Sequence, residues 1–241
     1  MALPKIDAPT YELELPLSKK KIQFRPFLVK EQKNLMMAME SDDKETIERN
    51  IRQVLNNCTI TENIDIDKLP VIDIEYYFIN LRARSVGEIV ENKYVCTNEV
   101  NDKQCGNRME TSFNLLDIKV EFSENNKEVI QITDKISIKM KYPEFSLVQK
   151  LKNKESAVDV AFEVMMDSVE WIFDGEQYYH AYETPREELL QFIESLNQEQ
   201  FSKMEQFFEN LPRMNKKIEI KCSKCGFDHS INMEGLESFF G

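Results

Sequence analysis

The stretch Lys221-Cys222-Ser223-Lys224-Cys225-Gly226 holds two thiols with two residues between them, on a turn closed by glycine. That spacing lets both sulfurs face one point in space, as a tetrahedral Zn²⁺ ion demands. One such turn makes half of a site. Cys96 and Cys105, with the eight residues Thr97 to Gln104 between them and Gly106 following, offer the other half on a looser loop. The expected chemistry is a closed shell of four thiolates, Cys96, Cys105, Cys222 and Cys225, around a structural zinc.

Other chemistries draw on the same residues. A disulfide framework sits badly with five cysteines and a start, Met-Ala-Leu-Pro-Lys-Ile-Asp, that lacks a secretory h-region. A redox Cys-x-x-Cys normally opens a helix, whereas Cys222 and Cys225 lie between two strand-like runs. Ordinary buried thiols are a third reading. Cys58, ending the amphipathic run of Ile47, Ile51, Val54 and Leu55, is read that way, as a small core residue. His229, four residues past Cys225, is a substitute ligand. A catalytic zinc on Cys222, Cys225 and His229 would keep its fourth position for water.

The elements that must position these thiols follow from periodicity. Val86 to Val95 reads as a strand into Cys96 and Met109 to Leu115 as the strand leaving Cys105; Lys217 to Lys221 and Phe227 to Met233 repeat the arrangement around Cys222 and Cys225. Two hairpins, each carrying a knuckle, predict a zinc-ribbon-like pair built from residues 86–115 and 216–241. The 116 residues between Cys105 and Cys222 then form an insertion, and a metal would close a long loop.

Before the first knuckle, residues 1–85 read as a hairpin and helices. Tyr11 to Leu15 alternates, Pro16 and Ser18 break the pattern, and Ile22 to Phe27 returns. Helical spacing follows over Val29 to Glu40, with Asp42 and Glu45 as a capping box for a helix to about Asn57. After a connector over 59–69, Pro70 starts a third helix with Ile74, Tyr77, Phe78 and Leu81 on one face. The insertion, residues 116–215, predicts a meander of Ile118 to Phe122, Val129 to Ile132 and Ile136 to Met140, then a helix over Ser156 to Trp171. Asp174-Gly175 marks a turn before an extended piece at Tyr178 to Tyr182. Thr184-Pro185-Arg186-Glu187 predicts a capped helix carrying Leu189, Leu190, Phe192, Ile193 and Leu196, and Asn197 with Gln200 starts another that stops before Pro212. The fold class is α+β.

Composition excludes several functions. A net charge of −12 argues against a sequence-independent grip on a phosphate backbone and against an anionic membrane surface. No apolar run approaches the roughly 20 residues that span a bilayer. With six glycines, no two closer than six positions, G-x-G-x-x-G and G-x-S-x-G cannot occur, and no G-K-[ST] is present. Only His180 and His229 are available to pair with a nucleophile. A packed role is expected for His180 in Tyr-Tyr-His-Ala-Tyr. A non-enzymatic protein in a reducing cytoplasm, with no small-molecule substrate, is the expectation. A zinc-ribbon module binding nucleic acid, with Lys216, Lys217, Lys221 and Lys224 as its basic residues, or binding another protein, is the alternative.

The wording of the N-terminal third adds a likeness. Leu3-Pro4, Pro9-Thr10-Tyr11-Glu12-Leu13, Arg25-Pro26-Phe27-Leu28-Val29-Lys30-Glu31, Ala38-Met39-Glu40-Ser41, Asp73-Ile74-Glu75-Tyr76 and Leu81-Arg82-Ala83-Arg84-Ser85-Val86-Gly87 resemble the baseplate hub and hub-assembly family of T4-like tailed bacteriophages. The resemblance carries no catalytic residue. It implies a structural or assembly protein of the baseplate central hub, with other hub proteins as partners, in the infected host cytoplasm during assembly or in the virion tail baseplate. Arg25-Pro26-Phe27 and the outer side of the Val29 to Glu40 helix are candidate contact surfaces.

Overall fold

The computed structural model describes residues 7–41, 43–151 and 156–234. They fall into two compact units, the first drawn from the described residues within 1–66, 72–121 and 213–241, the second from those within 67–71 and 122–212. The class is α+β, with small antiparallel sheets.

The first unit opens on a hairpin, β1 (Tyr11–Glu14) with β2 (Lys21–Phe24), in which Tyr11 faces Phe24 and Glu14 faces Lys21. Alternation puts Ile22 and Phe24 inside. Helix α1 (Val29–Glu40) follows, its first turn closed by Glu31, whose carboxylate accepts the Leu28 N–H at 2.7 Å. Helix α2 (Lys44–Cys58) is capped by Asp43, which accepts the N–H groups of Glu45 and Thr46; the Asp42 of the expected box lies outside the described residues. Cys58 ends α2 fully buried, and burial pushes its thiol up to about 11.

Helix α3 (Val71–Ser85) is the axis of this unit because it is apolar on two sides. Asp73 and Tyr77 meet the opening hairpin: the carboxylate accepts the Leu17 and Ser18 N–H groups at 2.8 and 2.9 Å, and the Tyr77 ring lies edge-on to Phe24. Ile79 and Ala83 turn the other way, into a core with Val90, Phe113, Leu115, Ile118, Met214, Ile218 and Met233.

That second core is roofed by the strands that carry the thiols. β3 (Ile89–Val95) leads to Cys96; a two-residue pair, β4 (Glu99–Val100) with β5 (Lys103–Gln104), fills the loop; β6 (Arg108–Asn114) returns from Cys105 and pairs with β3 in the register Val95 to Arg108. Next comes β7 (Lys119–Glu121). The sequence placed it in a meander with the two following strands, but it pairs instead with a strand from the far end of the chain, Met214 facing Val120. Ile118 and Val120 thereby join the first unit's core.

The second unit begins with β8 (Val129–Gln131) and β9 (Ser137–Met140), then α4 (Leu147–Leu151) and α5 (Ala157–Ser168), whose N-cap Ser156 accepts the Val158 N–H. The expected helix to Trp171 stops three residues early. Val169-Glu-Trp-Ile-Phe173, β-branched and aromatic, is strand β10 (Val169–Phe173), which fills the sheet β11-β10-β9-β8 with β11 (Tyr178–His180) at its edge. Helix α6 (Arg186–Glu194) begins without the expected Thr184 cap. Pro185 occupies the N-cap position, and the Thr184 hydroxyl donates instead to the His180 carbonyl at 2.9 Å. Helix α7 (Gln198–Glu209) does have its box, Asn197 and Gln200 exchanging side-chain bonds with each other's backbone N–H. Ile130, Ile138 and Ile172 from the sheet pack against Met165, Leu189, Ile193, Met204 and Phe207 from the helices.

The chain then returns to the first unit as β12 (Arg213–Lys221) and β13 (Asp228–Glu234), paired from Asn215–Glu234 to Lys221–Asp228 in a sheet of order β13-β12-β7.

Candidate metal centre

Each knuckle is a turn at the end of a hairpin, and backbone bonds set its shape. At the second, the Cys222 N–H donates to the Phe227 carbonyl at 2.8 Å and the Gly226 N–H to the Cys222 carbonyl at 2.9 Å. Gly226 sits at φ +75, where a side chain would be strained. The first repeats the device: Cys96 N–H to Asn107 carbonyl at 2.8 Å, Gly106 N–H to Cys96 carbonyl at 3.1 Å, Gly106 at φ +64. Eight intervening residues fit because Asn101 and Asp102, both at positive φ, turn the β4–β5 pair back on itself and Cys105 N–H reaches the Asn98 carbonyl.

These two turns bring together the sulfurs of Cys96, Cys105, Cys222 and Cys225, all within 4.8 Å of one another. Cys96 Sγ lies 3.6 Å from Cys225 Sγ, and Cys105 Sγ 3.9 Å from Cys222 Sγ. Disulfide sulfurs stand about 2.05 Å apart, so no such bond joins them. Around an ion with metal–sulfur bonds of about 2.3 Å, tetrahedral sulfurs stand about 3.8 Å apart, which these separations match. Cys96, Cys105 and Cys222 are buried and Cys225 partly so, among Met109, Tyr94 and Ile220. The cluster could therefore hold a metal ion. Cys58 is elsewhere, beside the Arg25 guanidinium at 3.7 Å.

Polar groups surround the sulfurs. The Asn98 amide donates to Cys225 Sγ at 3.7 Å, the Asn107 amide to Cys222 Sγ at 3.5 Å, and His229 Nε2 lies 3.1 Å from Cys96 Sγ. Lys224 Nζ donates to the Cys105 carbonyl at 3.0 Å, tying one knuckle to the other. N–H donors onto sulfur stabilise thiolate charge. The Cys225 backbone N–H, with help from those of Lys224 and the Asn107 amide, brings the Cys222 thiol down to about 6, while burial pushes Cys96 up to about 12. Asn98 and Asn107 were not among the residues that the sequence singled out. A signal for them was present: each stands two residues after a cysteine of the first knuckle, as Cys96-Thr97-Asn98 and Cys105-Gly106-Asn107. His180, the other histidine, lies tilted against the Tyr182 ring at 5.2 Å in the second unit.

The family model described as T4 bacteriophage base plate protein matches residues 8–241. The chain is also 23% identical over 231 residues to the baseplate hub assembly protein gp26 of Enterobacteria phage T4, covering 95% of this chain and 97% of the relative. No solved structure matches it. Both knuckles and all the elements between them fall inside the matched span, and the chain belongs to the T4 bacteriophage base plate protein family.

Proposed function

We propose that the chain is a non-enzymatic structural or assembly protein of the tailed-phage baseplate central hub, held in shape by a structural Zn²⁺ on Cys96, Cys105, Cys222 and Cys225. The observation that carries the metal is the approach of four sulfurs, within 4.8 Å of one another, from two hairpins separated by 116 residues, with two of their separations near the edge length of a zinc–thiolate tetrahedron. All-sulfur, tetrahedral donor sets favour zinc, and four protein ligands leave no position for a reacting water. On this reading residues 86–115 and 216–241 act as one zinc-ribbon-like clamp, with the hairpin and helices of residues 1–85 before it and residues 116–215 inserted into it.

The hub role is supported by the family match and by the relative's name, which describes hub assembly. Other baseplate hub proteins would be the partners, met in the infected host cytoplasm. This reading gives no role to nucleic acid, membrane or small-molecule substrates. Elemental analysis of untagged protein is expected to give one zinc per chain, lost in Cys222→Ser with a large drop in melting temperature. Because apparent binding energies of structural zinc reach about 10–16 kcal/mol, an unchanged melting curve in that variant would refute the clamp. Probing purified virions and infected lysates for the chain separates a resident hub component from one that acts only during assembly, and its absence from both hub complexes and virions would end the baseplate reading.

A further inference from the structure

The sheet of the second unit is one-sided in an unusual way. Ile130, Ile138 and Ile172 share a cross-strand row and face the helices. The neighbouring rows face away: Val129, Lys139, Trp171 and His180 in one, Gln131, Ser137, Phe173 and Tyr178 in the other. The solvent face of an antiparallel sheet is ordinarily polar. Here its β10–β11 half is aromatic. Tyr178 packs against Phe173 at 4.6 Å and edge-on against Trp171 at 5.0 Å, and is still 57% exposed. His180 extends the surface to Tyr182, 80% exposed.

Charge distinguishes this face further. Around Trp171, Phe173 and Tyr178, residues 169–180 contain Glu170, Asp174 and Glu176 and no Lys or Arg, whereas Tyr182 lines a cleft with Lys141, Lys150 and Arg186. The second unit as a whole has ten Lys and Arg against nineteen Asp and Glu, a formal −9 of the chain's −12. The one lysine in the aromatic rows, Lys139, is held by Glu170 at 3.0 Å. Asp174 is fixed at the hairpin turn next to Phe173, accepting the Glu176 and Gln177 N–H groups and the Tyr179 hydroxyl, so its charge has a set position at the end of the hairpin.

We propose that this face, centred on Trp171, Phe173 and Tyr178 and rimmed by Asp174 and Glu176, docks an arginine- or lysine-bearing segment of a partner protein. Exposed ring faces attract guanidinium and ammonium groups, more strongly once desolvated, and carboxylates at the rim complete the complement. Tyr, Trp and Arg are also the residues that dominate binding energy at interfaces. A second copy of this chain or a nucleic acid would bring like charge to the same place and is disfavoured.

Trp171 is the chain's single tryptophan, so its emission reports on the face directly. The full chain is titrated with a short Gly/Ser peptide carrying several arginines, and in parallel with its glutamate counterpart, an uncharged apolar peptide and a neutral oligosaccharide. The arginine peptide is expected to change Trp171 emission saturably. Raising sodium chloride from about 50 to about 300 mM should weaken it several-fold. Tyr178→Ala and Glu176→Lys should each weaken it about tenfold, while circular dichroism and melting temperature stay as in the parent. Equal binding of the apolar peptide, saturation by the oligosaccharide alone, concentration-dependent dimerisation that shields Trp171, or indifference to both substitutions would overturn the proposal.

Discussion

His229 Nε2 approaches Cys96 Sγ to 3.1 Å, from the strand that leaves the second knuckle to the sulfur that opens the first. A histidine taking Cys96's place on a metal would need its ring nitrogen aimed at the centre of the cluster. Here four sulfurs already surround that centre, and the nitrogen meets one of them. On the proposed four-thiolate site, that geometry suits a hydrogen-bond partner of the Cys96 sulfur better than the substitute ligand that the spacing past Cys225 allowed. His229→Ala is therefore expected to keep one metal per chain and to bind it roughly 10- to 100-fold more weakly, the usual cost of losing such a partner. A competition titration against a coloured chelator measures this. Loss of the metal outright would make the histidine a ligand after all.

Gly226 offers a test of the knuckle's backbone apart from its sulfurs. Its φ is +75, and a Cβ built there meets nothing within 4 Å. Gly226→Ala should therefore suffer only the left-handed strain, about 1–2 kcal/mol, with no clash to relieve. For a chain of this size that is a fall in melting temperature of a few degrees. Metal content should stay at the parent's level; a collapse of metal binding would mean that the turn, beyond tolerating the glycine, fails without it.

How far the sequence foretold all this depends on the range of the interaction. Local signals were readable: α1 from its spacing over Val29–Glu40, α7 from Asn197 and Gln200, the strands flanking each Cys-Gly turn from alternation. Competing local signals misled. Apolar residues on several sides of α5 continue past Ser168, so the switch to strand at Val169 is hidden until β9 supplies its partner. Long-range pairing was not readable at all. Nothing in Lys119–Glu121 shows that its neighbour is Arg213–Asn215 and not the strand that follows it in the chain. The cysteines stood out because few residue types offer sulfur and their spacing is short; Asn98 and Asn107 did not, because asparagine is ordinary in turns.

Asp73 lies inside the span that the family model matches and has no solvent exposure. Its two oxygens accept the N–H groups of Leu17 and Ser18, fastening the opening hairpin to α3. Asp73→Ala would leave both donors without their acceptor, at a cost of roughly 3 kcal/mol. Asp73→Asn, which keeps one carbonyl oxygen, should lose less. Urea unfolding of the two variants checks the order; equal losses would show that the packing around the residue, not its hydrogen bonds, holds the hairpin.

Two positions on, Glu75 gives the fold a pH dependence opposite to that of most carboxylates. Burial pushes it from 4.5 up to about 7. Between those values the unfolded chain has released the proton and the folded chain still holds it, so the unfolded state binds fewer protons there. Stability then falls as pH rises from 4.5 to 7 and levels off above. At about 1.4 kcal/mol per unit, moderated by the partial exposure of the side chain, the cost at pH 8 is about 2 kcal/mol. Glu75→Gln removes the ionisation while keeping the shape. Relative to the parent, it should gain about that much stability at pH 8 and almost nothing at pH 4.5, measured by urea unfolding at both values. A gain of the same size at the two pH values would trace the effect to packing and leave the carboxyl's titration out of it.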